Sequence, residues 1–121
     1  MSIIPILYLK SVLITSIQTE LTDGEILQFQ HELLKKNHDL NAKGIILDVS
    51  SLDVIDSYMA KIITDTMSMV MLQGSKLVLC GVQPVVASTL VDMGVVLGSM
   101  KMFLNLDQAF CFLTTKEVAQ V

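Results

Sequence analysis

The chain has no run of basic residues, no Cys-x-x-Cys pair, no glycine-rich phosphate loop and no apolar stretch of the roughly 18 to 20 residues that span a bilayer. Each absence removes a class of function. Twelve acidic against eight basic residues give a formal charge of −4 and a pI near 4.9. Without a clustered basic face there is nothing to neutralise the phosphates of DNA or RNA, so no nucleic-acid partner is expected. The N-terminal sequence also lacks the basic head, apolar run and small-residue cleavage site of a signal peptide. A soluble, cytoplasmic protein with no membrane partner is expected.

The common routes to catalysis are missing too. Neither GxGxxG nor GxxxxGK followed by Ser or Thr occurs, and the pieces 94–98 and Gly74-Ser75-Lys76 lack the spacing to cradle phosphates. There is no GxSxG elbow, and neither histidine falls on a strand-end loop, so a hydrolase triad fails. His31 and His38 are two turns apart on one predicted helix, about 10 Å, too far to share a metal without other ligands. Cys80 and Cys111 have no histidine at ligand spacing and are read as reduced core residues, one at a strand end and one in an amphipathic helix. No cofactor, metal or enzymatic activity is expected.

What is present is apolar material. Hydrophobic residues make up 52% of 121 residues, enough for one domain over 1–121 with its own core. A mean hydropathy of +0.63 with eight methionines exceeds what so small an interior can hide. Part of the apolar surface is expected to be buried against other subunits, as a homodimer, a higher-order assembly or both. Most methionines (59, 67, 93, 100 and 102) read as core filler, whereas Met69 and Met71 fall off the apolar face of their helix and point to an interface.

The pattern of elements is regular. Residues 3–9 and 12–16 read as two short strands with a tight connection at Lys10-Ser11, and Pro5 suits an edge strand. Thr22 and Glu25 form a capping box for a helix to about residue 37, carried by Ile26, Leu27, Phe29, Leu33 and Leu34. Residues 44–49 suit a strand covered on both faces, and a loop over 50–55 follows. A helix over 57–73 then presents Met59, Ile62, Ile63, Thr66, Met67 and Val70 on one side and stops at Gly74. Residues 76–80 repeat the strand signature, Pro84 opens a helix to about Met93, residues 102–104 make a last strand, and Asn105 caps a final helix containing Ala109, Phe110 and Leu113. The order ββαβαβαβα predicts an α/β fold, a mixed sheet with parallel inner strands packed against helices.

The most informative segment is GIILDVSSLDVIDSYMAKII, residues 44–63, a strand, a polar loop and a helix whose first turn displays Ser57. Free N–H groups and the macrodipole at that end favour an added phosphate. Ser57 therefore reads either as an N-cap or as a modification site, and Asp56 is an alternative cap that would leave the Ser57 hydroxyl pointing outward. Asp48 invites comparison with the phosphoacceptor of receiver domains, but the acidic pair and late lysine of that site are missing, and it reads as a structural loop residue. By spacing alone Thr89 is an ordinary helical threonine.

In this order of elements, LDVSSLDVIDSYMAKII resembles the STAS domain family, the fold of sigma-factor antagonists, in which an apolar strand ends in Asp and an Asp-Ser pair opens the next helix at the regulatory phosphorylation site. Here these are Asp48 and the pair Asp56-Ser57. The usual pair is followed by Ser-Gly and this one by Tyr58-Met59; together with LVLCGVQPVVASTLVDMGV and LNLDQAF, IDSYMAK resembles the RsbS-type stressosome scaffold subgroup. The resemblance implies a non-enzymatic subunit that co-assembles with RsbR-type STAS sensor proteins and holds an RsbT-type switch serine kinase. Phosphorylation of Ser57 would release that kinase to act in a stress-response relay, and a phosphatase would reset the site. It also implies a kinase-docking surface at Asp56, Tyr58 and Lys61, and places Thr89 where sensor-type domains carry a second phosphorylatable threonine. A receiver-like phosphoprotein and a plain oligomerisation module are the alternatives.

Overall fold

The first two strands, β1 (Ile6–Leu9) and β2 (Val12–Ser16), form an antiparallel hairpin. Its two-residue turn holds Lys10 at φ 50° and Ser11 at φ 68°, the left-handed geometry whose twist matches that of the strands. Neither residue is a glycine. The turn is tied down by the Lys43 N–H, which donates to the Ser11 carbonyl at 2.8 Å.

The computed structural model describes residues 4–19, 21–94 and 101–115. After the hairpin come α1 (Asp23–Leu40), β3 (Gly44–Asp48), α2 (Ser57–Leu72), β4 (Lys76–Cys80), α3 (Pro84–Asp92), β5 (Lys101–Phe103) and α4 (Leu106–Thr114). The five strands form one sheet in the order β1-β2-β3-β4-β5, parallel from β2 onward, so among the described residues β1 is the one antiparallel strand and lies at an edge. This is the α/β architecture that the element order predicts.

Period-2 alternation divides the core. Leu13, Ile45, Leu47, Leu77 and Leu79 face the larger layer made with α1, α2 and α3. Val12, Ile46, Val78 and Cys80 face a smaller layer under Ala109 and Leu113 of α4. Both faces of β3 are therefore dry, which explains its unbroken apolar run. A buried polar cluster locks the end of α1 to the turn after α2: the Asn37 side-chain amide donates to Gln73 Oε1 (2.8 Å) and Ser75 Oγ (3.1 Å), and Ser75 Oγ donates to the Ala42 carbonyl (2.7 Å).

Several expectations need correction. Helix α1 runs three residues past Asn37, because Asn41 adopts φ 51° and its N–H closes on the Asn37 carbonyl at 2.7 Å, a stop that apolar periodicity does not mark. Leu27 lies on the outer side of α1 and is exposed. The first strand begins at Ile6, and the last is Lys101–Phe103, leaving Leu104 in solvent. Cys111 is exposed, since it lies two residues from both Ala109 and Leu113 and so on the far side of α4. Met93, at the C-cap of α3, is exposed as well, as are Met69 and Met71. Ile3, Gly98 and Met100 lie outside the described residues.

Replacing Asn37 by Ala should leave Gln73 and Ser75 each short of a partner inside the protein. A loss of about 1–3 kcal/mol is expected, read as a lower urea midpoint with an unchanged m-value.

Candidate functional site

Strand β3 ends at Asp48, and the chain then crosses from the carboxyl edge of the sheet to α2. Asp48 Oδ1 accepts the Ser50 N–H at 2.9 Å, and the Leu52 N–H closes a turn on the Val49 carbonyl at 3.0 Å. Leu52 and Ile55 are buried and pin the loop, while Asp53 and Val54 between them face solvent. The crossover is thus anchored by apolar side chains at two points and exposes what lies around them.

At the start of α2 the N-cap is Asp56: Oδ1 accepts the Met59 N–H at 2.7 Å with the backbone extended at φ −89°, ψ 172°. That leaves Ser57 as the first helical residue, exposed, its hydroxyl with no hydrogen-bond partner among the described residues. The first turn of α2 holds no acidic residue, whereas that of α1 holds Asp23 and Glu25. Negative charge added at Ser57 thus meets a helix end compensated by Asp56 alone, an attraction of about 0.3–1 kcal/mol set against repulsion from the neighbouring carboxylate.

The other expected site residues, Tyr58 and Lys61 at this helix start and Thr89 elsewhere, are already engaged. Tyr58 is half-buried and packs on the larger core layer. Lys61 pairs with Asp65 at 2.7 Å, and that hydrogen bond, with the charge behind it, raises its pKa. Thr89 lies within α3, partly buried, its hydroxyl donating to the Val85 carbonyl at 3.1 Å.

The surrounding loops carry a polar network with no counterpart in the sequence pattern. Ser51 Oγ donates to Gln18 Oε1 (3.2 Å), Gln18 Nε2 donates to Ser16 Oγ (2.7 Å), and Gln83 Nε2 donates to the Ser50 carbonyl (2.7 Å). The loops after β2, β3 and β4 are laced together where parallel strands bring their carboxyl ends side by side. Gly81, at φ 73°, allows this approach, because a Cβ there would stand 2.6 Å from that of Ser50.

Asp48 lies in register with Cys80 on the α4 side of the sheet, opposite the face on which α2 packs. Burial, reinforced by the Asp48 carboxylate, pushes the Cys80 thiol up to about 11. Among the described residues no group of three His, Cys, Asp or Glu side chains is arranged to hold a metal ion, and no helix is long and apolar enough to cross a membrane.

The STAS domain family matches residues 6–109 of the chain. Among solved structures, a Ser-to-Glu variant of RsbS from Moorella thermoacetica is 33% identical, with a TM-score of 0.86 over 99% of this chain and 100% of that one. A structure of the molecular architecture of the stressosome, a signal integration and transduction hub, is also 33% identical, with a TM-score of 0.80 over 97% and 100% of the two chains. The anti-sigma factor antagonist SpoIIAA in its unphosphorylated form shares the fold at 14% identity, with a TM-score of 0.76 over 91% and 95%. No curated protein sequence matches the chain.

Two outcomes follow from this geometry. Asp56→Ala should cost about 1 kcal/mol through the lost cap, whereas Asp56→Asn, which keeps an acceptor oxygen, should unfold within about 0.5 kcal/mol of the wild type; equal losses in a urea titration would show that charge, not capping, sets the contribution. At pH 8 a thiol reagent should label Cys111 in the native protein and reach Cys80 only after unfolding. The native state holds the Cys80 proton more tightly than the unfolded chain does, so this thiol makes stability fall as pH rises from about 9 to about 11.

Proposed function

This chain belongs to the STAS domain family, and from that membership we propose that it is a non-enzymatic, RsbS-like stressosome scaffold and regulator, a single STAS domain over 1–121 working in the cytoplasm. In this reading it binds a switch serine kinase of the RsbT type and releases it when Ser57 is phosphorylated. It assembles with RsbR-type STAS sensor proteins, and a phosphatase resets Ser57.

The observation that carries the reading is the exposed, unpartnered Ser57 hydroxyl at the first position of α2, in a chain 33% identical over its length to an RsbS. The surface around it is prepared for binding and not for chemistry. The Asp56 cap and the Lys61–Asp65 pair are complete before any modification, so phosphate adds charge without having to remake the fold. A phosphoserine brings about −1.5 to −2 charges. Beside Asp56 and the exposed Asp53 these repel an acidic partner face and speed its departure. We place the switch at Ser57 and not at Thr89, whose hydroxyl would first have to leave the Val85 carbonyl.

Incubation with ATP and an RsbT-type kinase should add one acid-stable phosphate, mapped to Ser57 by peptide mass spectrometry and absent from Ser57→Ala. In a binding assay Ser57→Ala should hold the kinase as the wild type does, and Ser57→Asp should weaken it at least tenfold. Wild-type affinity in both variants would sink the mechanism, and an acid-labile phosphate on Asp48 would favour a receiver-like phosphoprotein.

A further inference from the structure

Strand β4 outruns its neighbour at the far end of the sheet from Ser57. Lys101, the first residue of β5, pairs with Val78, so among the described residues Lys76 and Leu77 have no strand partner on that side. A cavity of about 150 Å³ lies there, lined by Met67, Met71, Leu77, Val78 and Phe112 and by two lysines, Lys76 and Lys101. Leu77 belongs to the larger core layer and Val78 to the smaller, so the cavity opens at the margin of the sheet, where the two layers meet.

Its walls and its mouth differ in character. Met67, Leu77 and Val78 are buried and close the floor, whereas Met71, Phe112 and both lysines are exposed and surround the opening. The chain carries twelve acidic residues against eight basic, yet the cavity takes two of the basic ones and none of the acidic. Neither lysine is ion-paired among the described residues, in contrast to Lys35 and Lys61. The Lys76 ammonium stands 5.5 Å from the centre of the Phe112 ring, which is itself set against Phe103 at 5.1 Å. Positive charge is thus held beside an apolar wall before any ligand arrives, which spares part of the ordering cost of binding.

We infer that this cavity is a binding site for a small monocarboxylate whose apolar body is about the size of one ring. Volume sets the size, since a dry cavity of about 150 Å³ takes a single benzene molecule. The floor sets the polarity of the body, because a buried polar group there would find no partner among Met67, Leu77 and Val78. The lysines set the charge and its place: an anionic head belongs at the mouth, in reach of two ammonium groups and still in contact with water.

The cavity is remote from the proposed switch. Met71 is fourteen residues along α2 from Ser57, about 21 Å at 1.5 Å per residue. A ligand here touches neither the Asp56 cap nor the Ser57 hydroxyl, so occupancy of the cavity is independent of the scaffold role proposed above.

The test is a titration of the full chain, carrying isotope-labelled methionine methyl groups, with sodium benzoate at constant ionic strength, read by nuclear magnetic resonance. The Met67 and Met71 methyl signals should shift along one saturable curve with a millimolar dissociation constant, as suits a ligand of so few atoms, while Met59 and Met69, which do not line the cavity, stay in place. Lys76→Gln and Lys101→Gln should each raise that constant about threefold and together about tenfold, and Lys35→Gln on α1 should not. Met71→Trp, a change at an exposed position of the mouth, should abolish the Met67 shift with an unchanged far-ultraviolet spectrum. Absence of a saturable shift overturns the site. So does equal binding of benzamide, which has the ring without the charge, or of acetate, which has the charge without the ring. Shifts of Met67 and Met71 that follow protein concentration with no benzoate present would show that a second copy fills the cavity, and they overturn the site as well.

Discussion

The structure depends on the burial of β3 on both faces. Ile45 and Ile46 point in opposite directions and both are fully buried, so the chain has to supply a helical layer on each side of the sheet. Parallel strands with helices on their faces require crossovers, and every crossover in this chain departs from the carboxyl edge. That edge is where the loops after β2, β3 and β4 meet, and where α2 begins. The position of Ser57 is a consequence of covering β3.

The site has little freedom of its own. Leu52 and Ile55 fasten the crossover to the core, Gln18 accepts from the Ser51 hydroxyl and Gln83 donates to the Ser50 carbonyl, and Asp56 closes the helix end. Within this surround the exposed Ser57 hydroxyl has no hydrogen-bond partner among the described residues. A modification there would change the charge of a surface and not the packing beneath it, as the proposed switch requires.

The two layers are unequal. Among the described residues three helices lie on one face, but α4 alone, nine residues long and buried through Ala109 and Leu113, lies on the other. It reaches β2, β3, β4 and β5 and leaves the outer face of β1 to solvent. Exposed apolar side chains also stand on the outer sides of α2 and α3, Met69, Met71, Val85 and Val91 among them, so the high mean hydropathy is spread over the surface.

The sequence by itself determined what depends on neighbours within a few residues. The capping box at Thr22, the buried face of α2 from Met59 to Val70, Pro84 at the start of α3 and the Asn105 cap are written in local spacing, because caps and helical faces are contacts between residues three and four apart. The unbroken apolar run of β3 likewise announced its coverage on both faces. Ser57 and its rivals for the cap were legible too, but not which residue wins. Only the tertiary structure decided that Asp56 takes the cap, that α1 continues to the left-handed Asn41, that Cys111 and Met93 face outward, and that Gln18 and Gln83 hold a loop 33 residues away. Those outcomes turn on how far a covering helix reaches and on which strand ends are brought together, and such long-range geometry leaves no periodic trace in the chain.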